Sequence, residues 1–146
     1  IGAAAAMAAP ALAQTECAGT PGNGNVKLEV TATDVRNTKG EVAFTIYPDD
    51  RSRFLAGGGK LLRTRVKATA PTTRSCFWLK PGHYAAALYH DENGDRDFNR
   101  TLFSIKEGFG FSNDAPTTLG LPSFRAVRFP LAATGGHLTI RMRYMR

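Results

Sequence analysis

The densest run of side chains able to do chemistry is His90-Asp91-Glu92-Asn93-Gly94-Asp95-Arg96-Asp97-Phe98-Asn99. Oxygen-bearing side chains at 91, 93, 95 and 97 recur at every second position, the spacing of loops that wrap a hard cation. Asp91, Asn93, Asp95 and Asp97 are therefore candidate Ca²⁺ ligands. The match to an EF-hand is partial. Arg96 stands where that loop needs Gly, and Leu102 stands where it needs a bidentate Glu. The same side chains can instead form Asx turns, bonding nearby backbone amides. Clustered carboxylates repel one another unless compensated, and Arg96 and Arg100 can do that as well as a metal can. Both readings stay open.

A second run, Lys106-Glu107-Gly108-Phe109-Gly110-Phe111-Ser112-Asn113-Asp114, follows closely. Gly108 and Gly110 allow positive φ between two aromatic anchors, so a tight, packed excursion is expected, with Phe109 and Phe111 tucked beneath the loop. His90, Glu107, Ser112 and Asn113 are the expected ligand-facing residues of a surface spanning 90–114. Catalysis has thinner support. Gly-x-Ser-x-Gly is absent, and Ser112 has no base and orienting acid at motif spacing. Asp91 and Glu107 could pair as the two carboxylates of a small hydrolase, which is the alternative reading. A 15.7 kDa chain with one long loop leaves little room for a sugar cleft. His83, His90 and His137 lack zinc-ligand spacing. His83 and His137 read as strand-end residues, and His90 lies beside the acidic run.

Strands must position these loops. Val26, Leu28, Val30 and Ala32 alternate with polar residues, and Val42, Phe44 and Ile46 alternate again after Asn37-Thr38-Lys39-Gly40. The short Asn/Gly connection predicts that these two strands pair as a hairpin. Further strands are expected over 62–68, 75–79, 83–89, 126–131 and 137–144. The segment His83–Tyr89 is apolar on both faces and should be central. Leu138, Ile140, Met142 and Tyr144 should face inward. Seven short strands without a useful helical period indicate an all-β sandwich. The connection from about 90 to 124 exceeds the usual ~12–15 residues but carries Phe98, Leu102, Phe103, Ile105, Phe109, Phe111 and Leu119, so it should be ordered and functional.

The formal net charge of +7 is unevenly laid out. Residues 51–90 hold eight basic residues and no acid, whereas four of the twelve acids crowd into 91–97. Arg63, Arg65 and Lys67 share one strand face and with Arg74 could form a positive surface, which suits anionic envelope lipid or polysaccharide. Aromatic residues do not interleave with them as single-stranded nucleic acid would require. Residues 1–13, IGAAAAMAAPALA, end in a small-x-small pattern and read as the remnant of a signal peptide cleaved near Ala13. Residues 14–25 are then an extended segment, and 26–146 a single domain. Apolar runs after residue 13 are too short for a transmembrane helix. Export favours pairing of Cys17 with Cys76, the two cysteines of the chain.

The segments Val35-Arg36-Asn37-x-x-Gly40, Gly82-x-Tyr84-Ala85, His90-Asp91-Glu92-Asn93, Glu107-Gly108-Phe109-Gly110-Phe111-Ser112-Asn113 and Pro122-Ser123-Phe124 occur in a characteristic order. In this the chain resembles a family of exported bacterial proteins known as domain of unknown function 2141, over roughly Val26–Tyr144. It is similar to alphaproteobacterial members in its early Cys and its Asp49–Leu55 stretch. The resemblance implies a β-sandwich of the prealbumin-like or immunoglobulin-like kind with no established activity. The expectation is a periplasmic or secreted, non-catalytic binding or structural module.

Overall fold

The structure, a computed structural model, describes residues 16–94, 96, 108–117 and 121–144. Among these, eight strands form two sheets. They are β1 (Val26–Thr33), β2 (Glu41–Tyr47), β3 (Leu62–Lys67), β4 (Thr73–Leu79), β5 (Gly82–Asp91), β6 (Gly108–Phe111), β7 (Phe129–Leu131) and β8 (Gly136–Arg141). The smaller sheet has the order β4-β1-β8, with β1 and β8 parallel. The larger runs β3-β2-β5-β6, and β7 pairs with β5 beside β6. No helix among the described residues is long and apolar enough to cross a membrane.

The alternating residues of the two sheets face one another. Leu28, Val30, Phe77 and Ile140 from one sheet pack on Val42, Phe44, Ala86 and Leu88 from the other. Each of the larger side chains among them, removed from water, contributes roughly 1.5–3 kcal/mol. β5 is central, as its two apolar faces predict, and Ala85–Asp91 is buried throughout. Its outer side belongs to a second apolar cluster that includes Ala43, Tyr47, Tyr89, Phe109, Phe111 and Val127. Phe54, Leu55 and Phe124 close over that cluster. Phe54 meets Tyr47, Phe111 and Phe124 with ring centroids 5.4, 6.1 and 6.0 Å apart. Arg128 bonds Asp49 through both carboxylate oxygens at 2.8 and 3.0 Å, tying the two covering segments together.

Three expectations need correction. β1 and β2 do not form a hairpin. β1 pairs with β4 and β8, whereas β2 pairs with β3 and β5. Both strands carry a strong apolar face, and the gain comes from packing those faces across the interior rather than side by side. The strand expected over 126–131 begins instead as a helical turn, α1 (Phe124–Val127), because the Ser123 side chain accepts from the Ala126 N–H and caps it. The strand count is eight rather than seven, since Gly108–Phe111 lies against β5 as β6. Beyond β8 the chain crosses to the larger sheet, where Arg143 and Phe109 exchange both backbone hydrogen bonds at 2.9 Å.

Candidate functional site

The first and third of the sequence blocks meet at one end of the sandwich. The turn after Asn37 brings Gly40 against the end of β5, at a φ of 64°. A Cβ at Gly40 would lie 1.9 Å from the Asp91 carbonyl oxygen, so no other residue allows this approach. The fit places Arg36, Asn37 and Lys39 around His90 and Glu92. Arg36 donates from Nε and Nη2 to the two Glu92 oxygens at 2.8 and 2.9 Å, and Asn37 Nδ2 adds a third bond at 2.9 Å. These Arg36 bonds, supported by Asn37 and opposed by partial burial, bring the Glu92 carboxyl down from 4.5 to about 2.

His90 is fully buried. Its Nε2 lies 2.7 Å from the Lys39 carbonyl, which can only accept, so Nε2 carries a proton. Nδ1 lies 2.8 Å from the Tyr144 hydroxyl. That hydroxyl already accepts from the Arg36 backbone N–H at 3.1 Å, leaving its own proton to donate to Nδ1. The chain Arg36 N–H, Tyr144 O–H, His90 N–H, Lys39 carbonyl is therefore complete for a neutral imidazole. The Arg36 guanidinium also lies 4.3 Å over the Tyr144 ring.

Asp91 points to the opposite face and is fully buried. One carboxylate oxygen accepts the Arg96 backbone N–H at 2.7 Å, closing the turn at Gly94. The Arg96 side chain reaches Glu41, at 3.4 Å, rather than Asp91. Asp95, Asp97 and Glu107 lie outside the described residues, as do residues 1–15. The separation of Asp91 from Glu107 and the four-residue calcium set are therefore not on view. Among the described residues, no three His, Cys, Asp or Glu side chains group as metal ligands would.

The Gly108–Asn113 block is also taken up internally. Neither Gly108 nor Gly110 has positive φ, and both lie in a strand rather than in the expected tight excursion. They are glycines because β6 is overlaid: a Cβ at Gly108 would meet the Tyr144 ring at 2.4 Å, and one at Gly110 the Arg141 carbonyl at 2.7 Å. Phe109 and Phe111 point the other way, into the second apolar cluster. Ser112 is buried, donates to the Val127 carbonyl and accepts the Ala86 N–H at 3.0 Å. Asn113 holds the Ala126 and Arg128 carbonyls at 3.1 and 2.9 Å, fastening α1 to the end of β6.

The cations of β3 are likewise partnered. Arg63 donates to Thr45 Oγ1 at 2.7 Å, Arg65 to the Tyr89 hydroxyl at 2.9 Å, and Lys67 to the Thr38 carbonyl at 2.8 Å. Cys17 and Cys76 form a disulfide, as expected. It fastens Ala18 alongside β4, where Ala18 bonds Cys76 and Trp78 through the backbone.

The outer face of the small sheet is different, because no apolar cluster of the described residues covers it. Arg74 and Thr31, Cys76 and Glu29, and Trp78 and Lys27 stand in successive cross-strand pairs. His137 and Thr139 continue two of these rows on β8. A groove of about 510 Å³ runs from this face into the gap between β3 and β4, past Thr31, Arg74 and Lys67. Sequence reasoning grouped Arg74 with the cations of β3 rather than with Trp78, Lys27 and His137 on this face. The signal was present, since Arg74, Cys76 and Trp78 alternate with buried Thr73, Ser75, Phe77 and Leu79.

Comparison with known proteins agrees with the order of the sequence blocks. The family model described as "Uncharacterized protein conserved in bacteria (DUF2141)" matches residues 30–139. No curated protein and no solved structure matches the chain.

Proposed function

The chain belongs to this bacterial family, and we propose that it works as an exported, non-catalytic binding module of the cell envelope. The observation that carries this reading is how its chemistry-bearing side chains are used. His90 spends both ring nitrogens, Glu92 both oxygens and Ser112 its hydroxyl on partners inside the fold. A group so bonded is a brace rather than a reagent, because reacting would strand buried partners at a cost of about 1–3 kcal/mol each. The hydrolase alternative needs a solvent-open Asp91, whereas this carboxylate is buried and closes a turn. Export is supported by the Cys17–Cys76 disulfide, a bond that persists outside the reducing cytosol.

The part left to meet a partner is the uncovered face of the small sheet. The cations of β3 serve the reading less well, since Arg63, Arg65 and Lys67 are engaged within the fold. Expression with the natural leader in a bacterial host, followed by fractionation and thiol labelling, tests the proposal. The expected result is oxidised protein in the periplasm or medium, without turnover of chromogenic ester, phosphate or glycoside substrates. Reduced protein held in the cytoplasm, or turnover abolished by Asp91→Asn, would overturn it.

A further inference from the structure

Resting on the binding-module reading, we infer that the groove on the small sheet takes an acidic polysaccharide, with uronate carboxylates on its cations and a sugar face against Trp78. The arrangement of charge points to the sign of the partner. Lys27 and Arg74 stand on the open face with His137 beside them, whereas Lys67, which also lines the groove, is held by the Thr38 carbonyl. Glu29 is the single acid lining the groove, and Lys27 lies 3.9 Å from it. Cations spaced along a trough meet an anion repeated along a chain better than one compact charge.

The remaining lining points to a hydroxylated carrier. Thr31, Thr69, Thr72 and Ser75 line the groove with hydroxyl groups, of which Ser75 is buried against Thr64 and Thr69 donates to the Thr72 carbonyl. Thr31 Oγ1 already lies 2.9 Å from His137 Nε2 on the open face, so a polar anchor is in place there. Trp78 is half-buried in the row next to the groove, with the Lys27 ammonium 5.9 Å from its ring centre. A half-buried indole beside cations and hydroxyls suits a ligand with apolar C–H faces and polar edges. A lipid bilayer fits less well. The exposed large apolar residues among those described are Leu61 and Leu121, and neither lines the groove.

Trp78 is the only tryptophan of the chain, so its emission reports on this face alone. The probe is hexagalacturonate, titrated into the oxidised protein, with maltohexaose as the neutral comparison and inorganic phosphate as the bare anion. We expect a saturable change in Trp78 emission with hexagalacturonate, about tenfold weaker binding of maltohexaose and phosphate, and weakening by salt. Arg74→Ser should lower the affinity about fivefold at an unchanged melting temperature, and Glu29→Gln should raise it. Lys27→Ser provides a second loss variant should Arg74→Ser fail to fold. Equal binding of hexagalacturonate and maltohexaose, or binding indifferent to Arg74→Ser, Lys27→Ser and Glu29→Gln, would overturn the inference. A Trp78 response to solubilised envelope but not to hexagalacturonate would overturn it too, while leaving the binding-module reading intact. A response to neither would remove both.

Discussion

Glu92 is where a single side chain does most for the end of the sandwich. Its carboxyl is held at about 2 against an ordinary 4.5, with Arg36 as the largest cause. A depressed folded-state pKa means stability that is complete above the unfolded value and is lost as pH falls through 4.5 toward 2. Glu92→Gln should therefore cost about 1–3 kcal/mol at pH 7 and progressively less on acidification. Urea unfolding of both proteins at neutral pH and near pH 2.5 checks this, and a cost independent of pH would refute it. Tyr144→Phe removes the hydroxyl that serves the Arg36 N–H and His90 Nδ1 together, and should cost a similar amount. Asp91 offers a contrast. Its carboxylate is fully buried, and the Arg96 N–H is one of its partners. Asp91→Asn should cost about 1–3 kcal/mol at neutral pH by urea unfolding, and the account expects millimolar calcium to leave the melting temperature of the wild type unchanged. A calcium-dependent rise that Asp91→Asn abolishes would establish a calcium-organised loop instead.

Strands and turns explain why some of this was legible and some was not. Alternation placed β1, β2 and β8 because one face of each lies in the core, while β5 was placed by its unbroken apolar run, buried on both faces. β6 was not legible because its inward positions are Gly108 and Gly110, which show no apolar period. Their meaning lies in what crosses them, the Tyr144 ring and the Arg141 backbone, and those neighbours are remote in sequence. Gly110→Ala should accordingly cost at least about 1–3 kcal/mol, through overpacking against backbone that cannot give way. Gly57→Ala, which meets nothing within 4 Å, should be close to neutral. Thermal unfolding of the pair separates close approach from a general need for flexible glycine. Pairing partners were harder still to read: the hairpin expectation for β1 and β2 failed because turn chemistry around Asn37–Gly40 reports a bend, not which strands flank it.

Across the whole molecule, the two sheets divide the work. The larger is covered on both faces, inside by the small sheet and outside by the segments that bring Phe54 and Phe124 over it. The smaller keeps one face open among the described residues and carries the disulfide at its β4 edge. Closing a loop with a sequence separation of 59 should stabilise the fold by about 4 kcal/mol on the chain-entropy account. Denaturant titration with and without reductant reads that difference directly. The candidate site was only half visible in sequence. His90, Ser112 and Asn113 stood out by type, yet burial of the first two and the backbone bonds of the third make them braces, whereas Trp78 and His137 drew little notice until the strands set them on one face with Arg74. Side-chain footprinting of the oxidised protein, with and without isolated cell envelope, tests this division most directly. The account predicts protection of Trp78, Lys27 and His137, with Lys60 and Arg125 unchanged. Protection confined to residues 90–114, or none on the small sheet, would contradict it.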